Sequence, residues 1–284
     1  MIKTSSIKKV RDLISEQKKN TKSVGLVPTM GAFHEGHESL IKKARKENDY
    51  VVVSIFVNPA QFAPNEDYNL YPRDIKSDLL KAENNGADLV FMPNDKVIYP
   101  EDYSTYVTVE ELTDKLEGKS RPSHFRGVTT IVTKLLNIVT PDNAYFGQKD
   151  AQQLAVVKRM VKDLNMPVKI VGCPIIRNQS GIALSSRHHY LNRTQMKTAV
   201  GIYESLKEGV KMIKSGTSDF GAVKERILDV LQNFGIKRID YVEFNKWESL
   251  EPLRKPEGKV LISLAVRIGN TRLLDNVILD SPRL

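Results

Sequence analysis

Long apolar runs are missing from this chain. No uncharged apolar stretch approaches the roughly 20 residues a helix needs to cross a bilayer, so no membrane span is expected among its 284 residues. Disulfide chemistry is excluded within the chain as well, because Cys173 is its single cysteine. That residue lies in the apolar run VKIVGCPII, where a small buried side chain is its expected role. Secretion is not expected: MIKTSSIKKVRDLISEQKKN alternates charged and apolar residues at helical spacing instead of presenting an unbroken apolar core and a cleavage site. The expected location is the cytoplasm. Internal repeats, low-complexity segments and long linkers are lacking too.

What is present describes a globular protein with ample core material: 40% hydrophobic and 27% charged residues. At this length two domains, or one large domain with an appendage, are the prior. The formal net charge of +9 suits nucleic acid, a membrane surface or small anionic substrates. Its lysines, however, are scattered along helical faces (Lys42, Lys43, Lys46; Lys207, Lys211, Lys214) rather than gathered with interleaved aromatics. Solvated surface is therefore the reading for most of them.

Apolar strand-like segments alternate with helical patterns over the first two thirds. Strands are predicted at 23–27, 50–57, 88–92, 144–146 and 168–176, and helices at 38–48, 74–85, 124–139 and 151–164. YVVVSIFV, nearly unbroken in β-branched residues, suits a strand covered on both faces. This alternation predicts an α/β, Rossmann-like, doubly wound parallel sheet over 1–176. Beyond it, long helices at 194–214 and 219–234 precede strands at 239–244 and 259–267, the latter turning through Gly269 and Asn270 into 271–279. That order predicts a smaller α+β domain over 177–284, covering the active site.

In doubly wound folds ligands sit at the carboxyl ends of the strands, and there the sequence reads VPTMGAFHEGH, Val27 to His37. His34 and His37 permit three readings. They could be capping residues at a helix start, or two ligands of a metal, for which no nearby third ligand stands out. They could also be imidazole donors to phosphate oxygens, which Pro28, Gly31 and Gly36 favour by letting backbone approach a ligand. Polar clusters follow other strands: FVNPAQF offers Asn58 and Gln61, RPSHFRG opens a helix, and FGQKDAQQ offers Lys149, Asp150 and Gln153. SGIALSSRHHYLN adds Ser185, Ser186 and Arg187, hydroxyls and a guanidinium suited to a triphosphate tail. Each cluster has a separate bland explanation as a turn, an N-cap or a solvated charge. Jointly they mark one cleft. No GxSxG elbow or plausible cysteine nucleophile accompanies them.

VPTMGAFHEGH resembles the HxGH signature of the adenylate-forming nucleotidyltransferases. With SIFVNPAQF, YPRD, RPSHFRGV, KLLNIVTPDNAYFGQKDAQQL and SSRHHYL it is similar to the pantothenate synthetase family, in that family's order and spacing from about Val27 to Leu191. The last third resembles it mainly through ISLAVRIGNTRLLDN. The resemblance implies ligation of pantoate to β-alanine with ATP and magnesium, through a pantoyl adenylate, within pantothenate and coenzyme A biosynthesis, by a homodimer. It implies an ATP site from Met30, Gly31, His34, His37, Gly147, Gln148, Lys149, Asp150, Ile176, Leu184, Ser185, Ser186 and Arg187. His37 and His34, with Lys149 and Arg187, would carry catalysis, His37 as the family's proton donor. Gln61, Gln153 and Asn58 would bind pantoate, and Gln61 would border β-alanine. The sequence departs from the family pattern at Leu184 (usually methionine), Ser123 (usually glycine) and His188 (often asparagine), and QSGIAL replaces a more acidic segment. The magnesium ligands are not identified by the motifs. A synthetase-like relative sharing HxGH would be expected to carry a KMSKS-like lysine loop where this chain has LSSR, and a non-catalytic nucleic-acid binder would rest on the net charge alone.

Overall fold

The computed structural model describes residues 1–64 and 66–280. In chain order the main elements are β1 (Ile2–Thr4), α1 (Ile7–Lys19), β2 (Val24–Thr29), α2 (Glu35–Glu47), β3 (Tyr50–Ile55), α3 (Ile75–Asn84), β4 (Leu89–Phe91), α4 (Asp95–Ile98), α5 (Glu117–Ser120), α6 (His124–Val139), β5 (Asn143–Gly147), α7 (Ala151–Asp163), β6 (Lys169–Cys173), α8 (Arg193–Lys214), α9 (Phe220–Asn233), β7 (Arg238–Lys246), β8 (Lys259–Ile268) and β9 (Thr271–Asp280). The chain divides into two compact units, Met1–Gln148 with Val156–Pro174, and Lys149–Ala155 with the residues from Ile175 onward.

Among the described residues of the first unit, six strands form one sheet in the order β1-β4-β3-β2-β5-β6, and every pairing is parallel. β3 is buried at all its positions, as helices on both faces of a parallel sheet require. Val27, Val51, Val53, Val90 and Tyr145 join Ile41 and Ala44 of α2 in one core cluster. From β2 the chain winds outward through β3 to β4, then returns to the other side of β2 with β5 and β6. The order therefore reverses between β2 and β5, the switch point at which open α/β sheets bind ligands.

The doubly wound sheet is as expected, with local differences; β3 and β6 end at Ile55 and Cys173, short of the expected 57 and 176. β1 has no counterpart among the expected strands, because a three-residue edge strand with two exposed positions has no readable pattern; helix α1 begins only at Ile7, where the Ser6 hydroxyl accepts the Lys9 N–H. Helix α2 begins at Glu35, three residues ahead of the sequence expectation, because His34 serves as its N-cap.

In the second unit β7, β8 and β9 form an antiparallel sheet. The β8–β9 hairpin pairs Ile268 with Thr271 and turns through Gly269 and Asn270, as the sequence indicated. Its buried face carries Ile262, Leu264 and Val266, which pack with Leu206 of α8 and Ile227 and Leu231 of α9. Phe220 stacks on Phe244 with centroids 4.3 Å apart.

Candidate active site

Helix α2 leaves the carboxyl end of β2 through a tight turn. Gly31 and Ala32 are both left-handed, at φ 86° and 54°, a pair of conformations that only glycine adopts without strain. Asp78 of α3, 1% exposed, holds the turn: one oxygen accepts the Ala32 N–H at 2.8 Å and the other the Phe33 N–H at 2.7 Å. Lys81, one helical turn further on, donates to the Phe33 carbonyl at 2.5 Å. Burial pushes the Asp78 carboxyl above the usual carboxylate range, and the two N–H bonds pull against it.

The two histidines follow directly. His34 Nδ1 accepts the Gly36 N–H at 3.1 Å, and His37 Nδ1 faces the His34 N–H at 3.4 Å. Their rings lie 4.2 Å apart. An imidazole whose Nδ1 accepts a backbone N–H carries its neutral-state proton on Nε2. Capping thus uses one nitrogen of each ring and sets the other as a donor. Capping and phosphate donation are compatible, and the first turn of a 13-residue helix adds its own N–H groups and positive dipole end.

A second turn of the first unit is built around Gln61. The segment Pro59–Gln61 is a short 3-10 turn capped by Asn58. The Asn58 amide is fully engaged: it donates to Gln61 Oε1 (3.2 Å) and to the Gly127 carbonyl (3.1 Å), and accepts from the Tyr99 hydroxyl (2.7 Å) and the Ala60 N–H (3.3 Å). The Gln61 carbonyl accepts from Arg121 (3.2 Å) and from His124 Nδ1–H (2.9 Å). Arg121 is itself clamped by both Glu66 oxygens, each at 2.6 Å. A Cβ on Gly127 would sit 2.2 Å from the Ala60 carbonyl oxygen, so only glycine lets α6 come this close. The motif RPSHFRG is therefore the cradle of the Gln61 turn. Burial and the Arg121 charge push His124 from an ordinary 6.5 down to about 4, keeping the ring neutral. Gln61 Nε2 reaches Met30 Sδ at 2.9 Å, which brings a pantoate candidate against the ATP-loop candidates within one unit.

In the second unit Lys149, Ser185, Arg187 and His188 line a small solvent-open pocket, together with Arg272 and Asp275. Ser185 caps the turn Ser186–Tyr190 by accepting the Arg187 N–H. Leu184 and Ile176 are tied by the Leu184 N–H on the Ile176 carbonyl at 2.9 Å. Arg177 forks onto Asp275 at 2.6 and 2.9 Å, and Asp275 is 3% exposed. The neighbouring Asn276 donates to the Lys149 carbonyl at 2.9 Å. Burial and the Lys149 ammonium push His188 down to about 4 as well.

Most sequence candidates thus gather into three groups: Met30, Gly31, His34 and His37 with Gln61 and Asn58; Gly147 and Gln148 at the end of β5; and Lys149, Ser185 and Arg187 around the second unit's cavity. Ser186 heads the 3-10 turn beside it. Asp150 is exposed and Gln153 half-buried at the start of α7, and neither lines that cavity. Asn58 is the candidate whose geometry differs most from its expected role, since its hydrogen-bonding groups are taken up by Gln61, Gly127, Tyr99 and Ala60. Sequence reasoning missed Asp78, Arg177, Asp275 and Asn276. Asp275 and Asn276 lie in the quoted segment ISLAVRIGNTRLLDN, whereas Asp78 looks like any polar residue of an amphipathic helix.

A parallel sheet with a two-histidine helix start at its switch point defines a nucleotide-handling α/β enzyme of the HxGH class. The sequence model of the Pantoate-beta-alanine ligase family matches residues 3–278, and the chain belongs to that family. It is 53% identical over 275 residues to a pantothenate synthetase of Acetivibrio thermocellus, covering 97% of this chain and 98% of the relative. Identity to the pantothenate synthetase of Caldicellulosiruptor saccharolyticus is 49%, covering 99% and 100%. The crystal structure of the Thermus thermophilus pantothenate synthetase superposes with a TM-score of 0.93 at 41% identity, covering 98% of this chain and 99% of that one. The Francisella tularensis pantoate-β-alanine ligase, crystallised with "Beta-gamma ATP" and β-alanine, gives 0.80 at 39% identity, covering 98% and 97%.

Proposed function

We propose that the chain ligates pantoate to β-alanine in two steps, a reading carried above all by the two-histidine start of α2 at the switch point of a chain matching the ligase family from end to end. A carboxylate is a poor acyl donor, since its leaving group would be oxide. The pantoate carboxylate therefore attacks the α-phosphorus of ATP, the bond to the bridging oxygen breaks, and pyrophosphate leaves with that electron pair. The unprotonated amine of β-alanine then attacks the acyl carbon of pantoyl adenylate. The acyl–oxygen bond breaks, AMP departs, and the amine gives up its extra proton to solvent.

No residue forms a covalent bond; the protein positions groups and stabilises charge. His34 and His37 donate hydrogen bonds from Nε2–H to phosphate oxygens as charge builds on them, and each ring keeps its proton. Lys149 and Arg187, with Ser185 and Ser186, take the triphosphate, while Met30, Gly31, Gly147, Gln148, Asp150, Ile176 and Leu184 contribute to the ATP site. Gln61 and Gln153 hold the pantoate hydroxyls and carboxylate, Gln61 borders β-alanine, and Asn58 serves by fixing Gln61. Among the described residues no group of three or more His, Cys, Asp or Glu could cage an ion. Magnesium would accompany the substrate phosphates, the usual mode for this reluctantly dehydrated cation. There it would neutralise phosphate charge. The working form is a homodimer in the cytoplasm.

Incubating the purified protein with ATP, pantoate and β-alanine should yield AMP and pantothenate in equal amounts. ADP in place of AMP, or no pantothenate, would refute the reading.

A further inference from the structure

Asp78 is a buried carboxylate that takes no direct part in the two chemical steps. Its two oxygens take consecutive backbone N–H groups, Ala32 and Phe33, at 2.8 and 2.7 Å. Those residues close the turn in which Gly31 and Ala32 are left-handed, and His34, the next residue, is the N-cap of α2. The contact is tight on its other side too: a Cβ on Gly31 would lie 2.9 Å from the same Asp78 oxygen that accepts the Ala32 N–H. Glycine at 31 and aspartate at 78 are therefore one device. A fold wanting only stability would fill this buried spot with an apolar side chain, since burying a carboxylate is costly. Here the acceptor-only group meets two donors at fixed spacing, and Lys81 on the same helix anchors the Phe33 carbonyl from the opposite polarity.

We infer that Asp78 is a positioning residue for adenylation: through the Ala32 and Phe33 N–H groups it sets the height and angle at which the first turn of α2 presents His34 and His37. The inference rests on the ligase reading for its catalytic consequence, though not for its geometric one. Both histidines ride on one helical turn, so any shift of the turn moves both donors together. Misplacement of about 1 Å is enough to cost on the order of a hundredfold in rate.

The test is Asp78→Asn, which keeps shape but turns an amide NH2 toward one of the two N–H groups. In the folded variant, the kcat of pantoate-dependent pyrophosphate exchange should fall about 10- to 100-fold, with the Kd for ATP changed less than about threefold. Without substrates, the ¹⁵N imidazole signals of His34 and His37 should move while those of His189 do not. A folded Asp78→Asn protein with wild-type kcat and unshifted His34 and His37 signals would overturn the inference, even if its melting temperature had dropped. Should that variant not fold, Asp78→Glu, which keeps both oxygens on a longer arm, takes its place: a lowered kcat with moved imidazole signals supports the positioning role, and wild-type values of both overturn it. A wild-type protein without exchange activity would count against the ligase reading alone, since the imidazole signals test the positioning independently.

Discussion

The side-chain amide of Asn276 in β9 donates to the main-chain carbonyl of Lys149 at 2.9 Å, and its neighbour Asp275 carries the fork of Arg177. One pair of adjacent residues thus ties Lys149 to the start of the segment 177–187. Asn276→Ala should raise the KM for ATP severalfold while costing about 1 kcal/mol of stability, the scale of one hydrogen bond. Asp275→Ala should behave differently. It leaves the Arg177 guanidinium largely buried without its carboxylate, a loss of about 3–5 kcal/mol, visible as a large drop in the denaturation midpoint. Equal stability of the two variants would contradict the distinction.

The two roles of His34 can be separated by one substitution. Asparagine is a good N-cap, so His34→Asn should keep the melting temperature within a few degrees of wild type, yet it lacks the far ring nitrogen. Adenylation should fall roughly a hundredfold, the scale for one preorganised donor. His34→Ala should show the same rate loss and lose about 1 kcal/mol besides. Retained activity in His34→Asn would make His34 a cap only.

Gln61 and Gln153 are uncharged and offer little to a triphosphate. Gln153→Ala should weaken pantoate binding by about 1–3 kcal/mol, because a site built to bond a hydroxyl is left with an unmatched polar group, and ATP binding should barely move. Lys149→Ala should show the reverse emphasis. Separate calorimetric titrations with ATP and pantoate decide the matter, and a Gln153→Ala protein that loses ATP while keeping pantoate would refute the assignment.

Acid should destabilise the fold through two partly buried imidazoles. His124 and His188 are held down at about 4 from an ordinary 6.5, so between those values the unfolded chain binds protons that the folded chain does not. Stability contributed by these neutral rings is full above pH 6.5 and is lost as the pH falls toward 4. Denaturant titrations over that window should show a shallower pH dependence in His124→Gln, whose amide can still donate to the Gln61 carbonyl. An unchanged slope would show that His124 titrates normally in the fold.

Much of this architecture was legible in the sequence. Helix α6 was readable to its ends, since HFRGVTTIVTKLLNIV repeats apolar residues at helical spacing between Ser123 and Thr140, and β3 announced itself by its β-branched run. β1 was not, because three edge residues carry no period. Within the site, motifs disclosed the residues that face a ligand but not those that hold them. Asp78 lies 46 positions from Ala32 and 45 from Phe33, far outside any local pattern, and only the fold brings the three together. Likewise, Arg121 reads as a solvated charge until the Gln61 carbonyl is seen between it and His124.

Adenylation of a carboxylate before any amine is involved is the central claim, and isotope exchange measures that step alone. With ATP, magnesium and pantoate present and β-alanine absent, labelled pyrophosphate should enter ATP, and omitting pantoate should abolish the exchange. Exchange that requires β-alanine, or that a proteinogenic amino acid drives in place of pantoate, would contradict it.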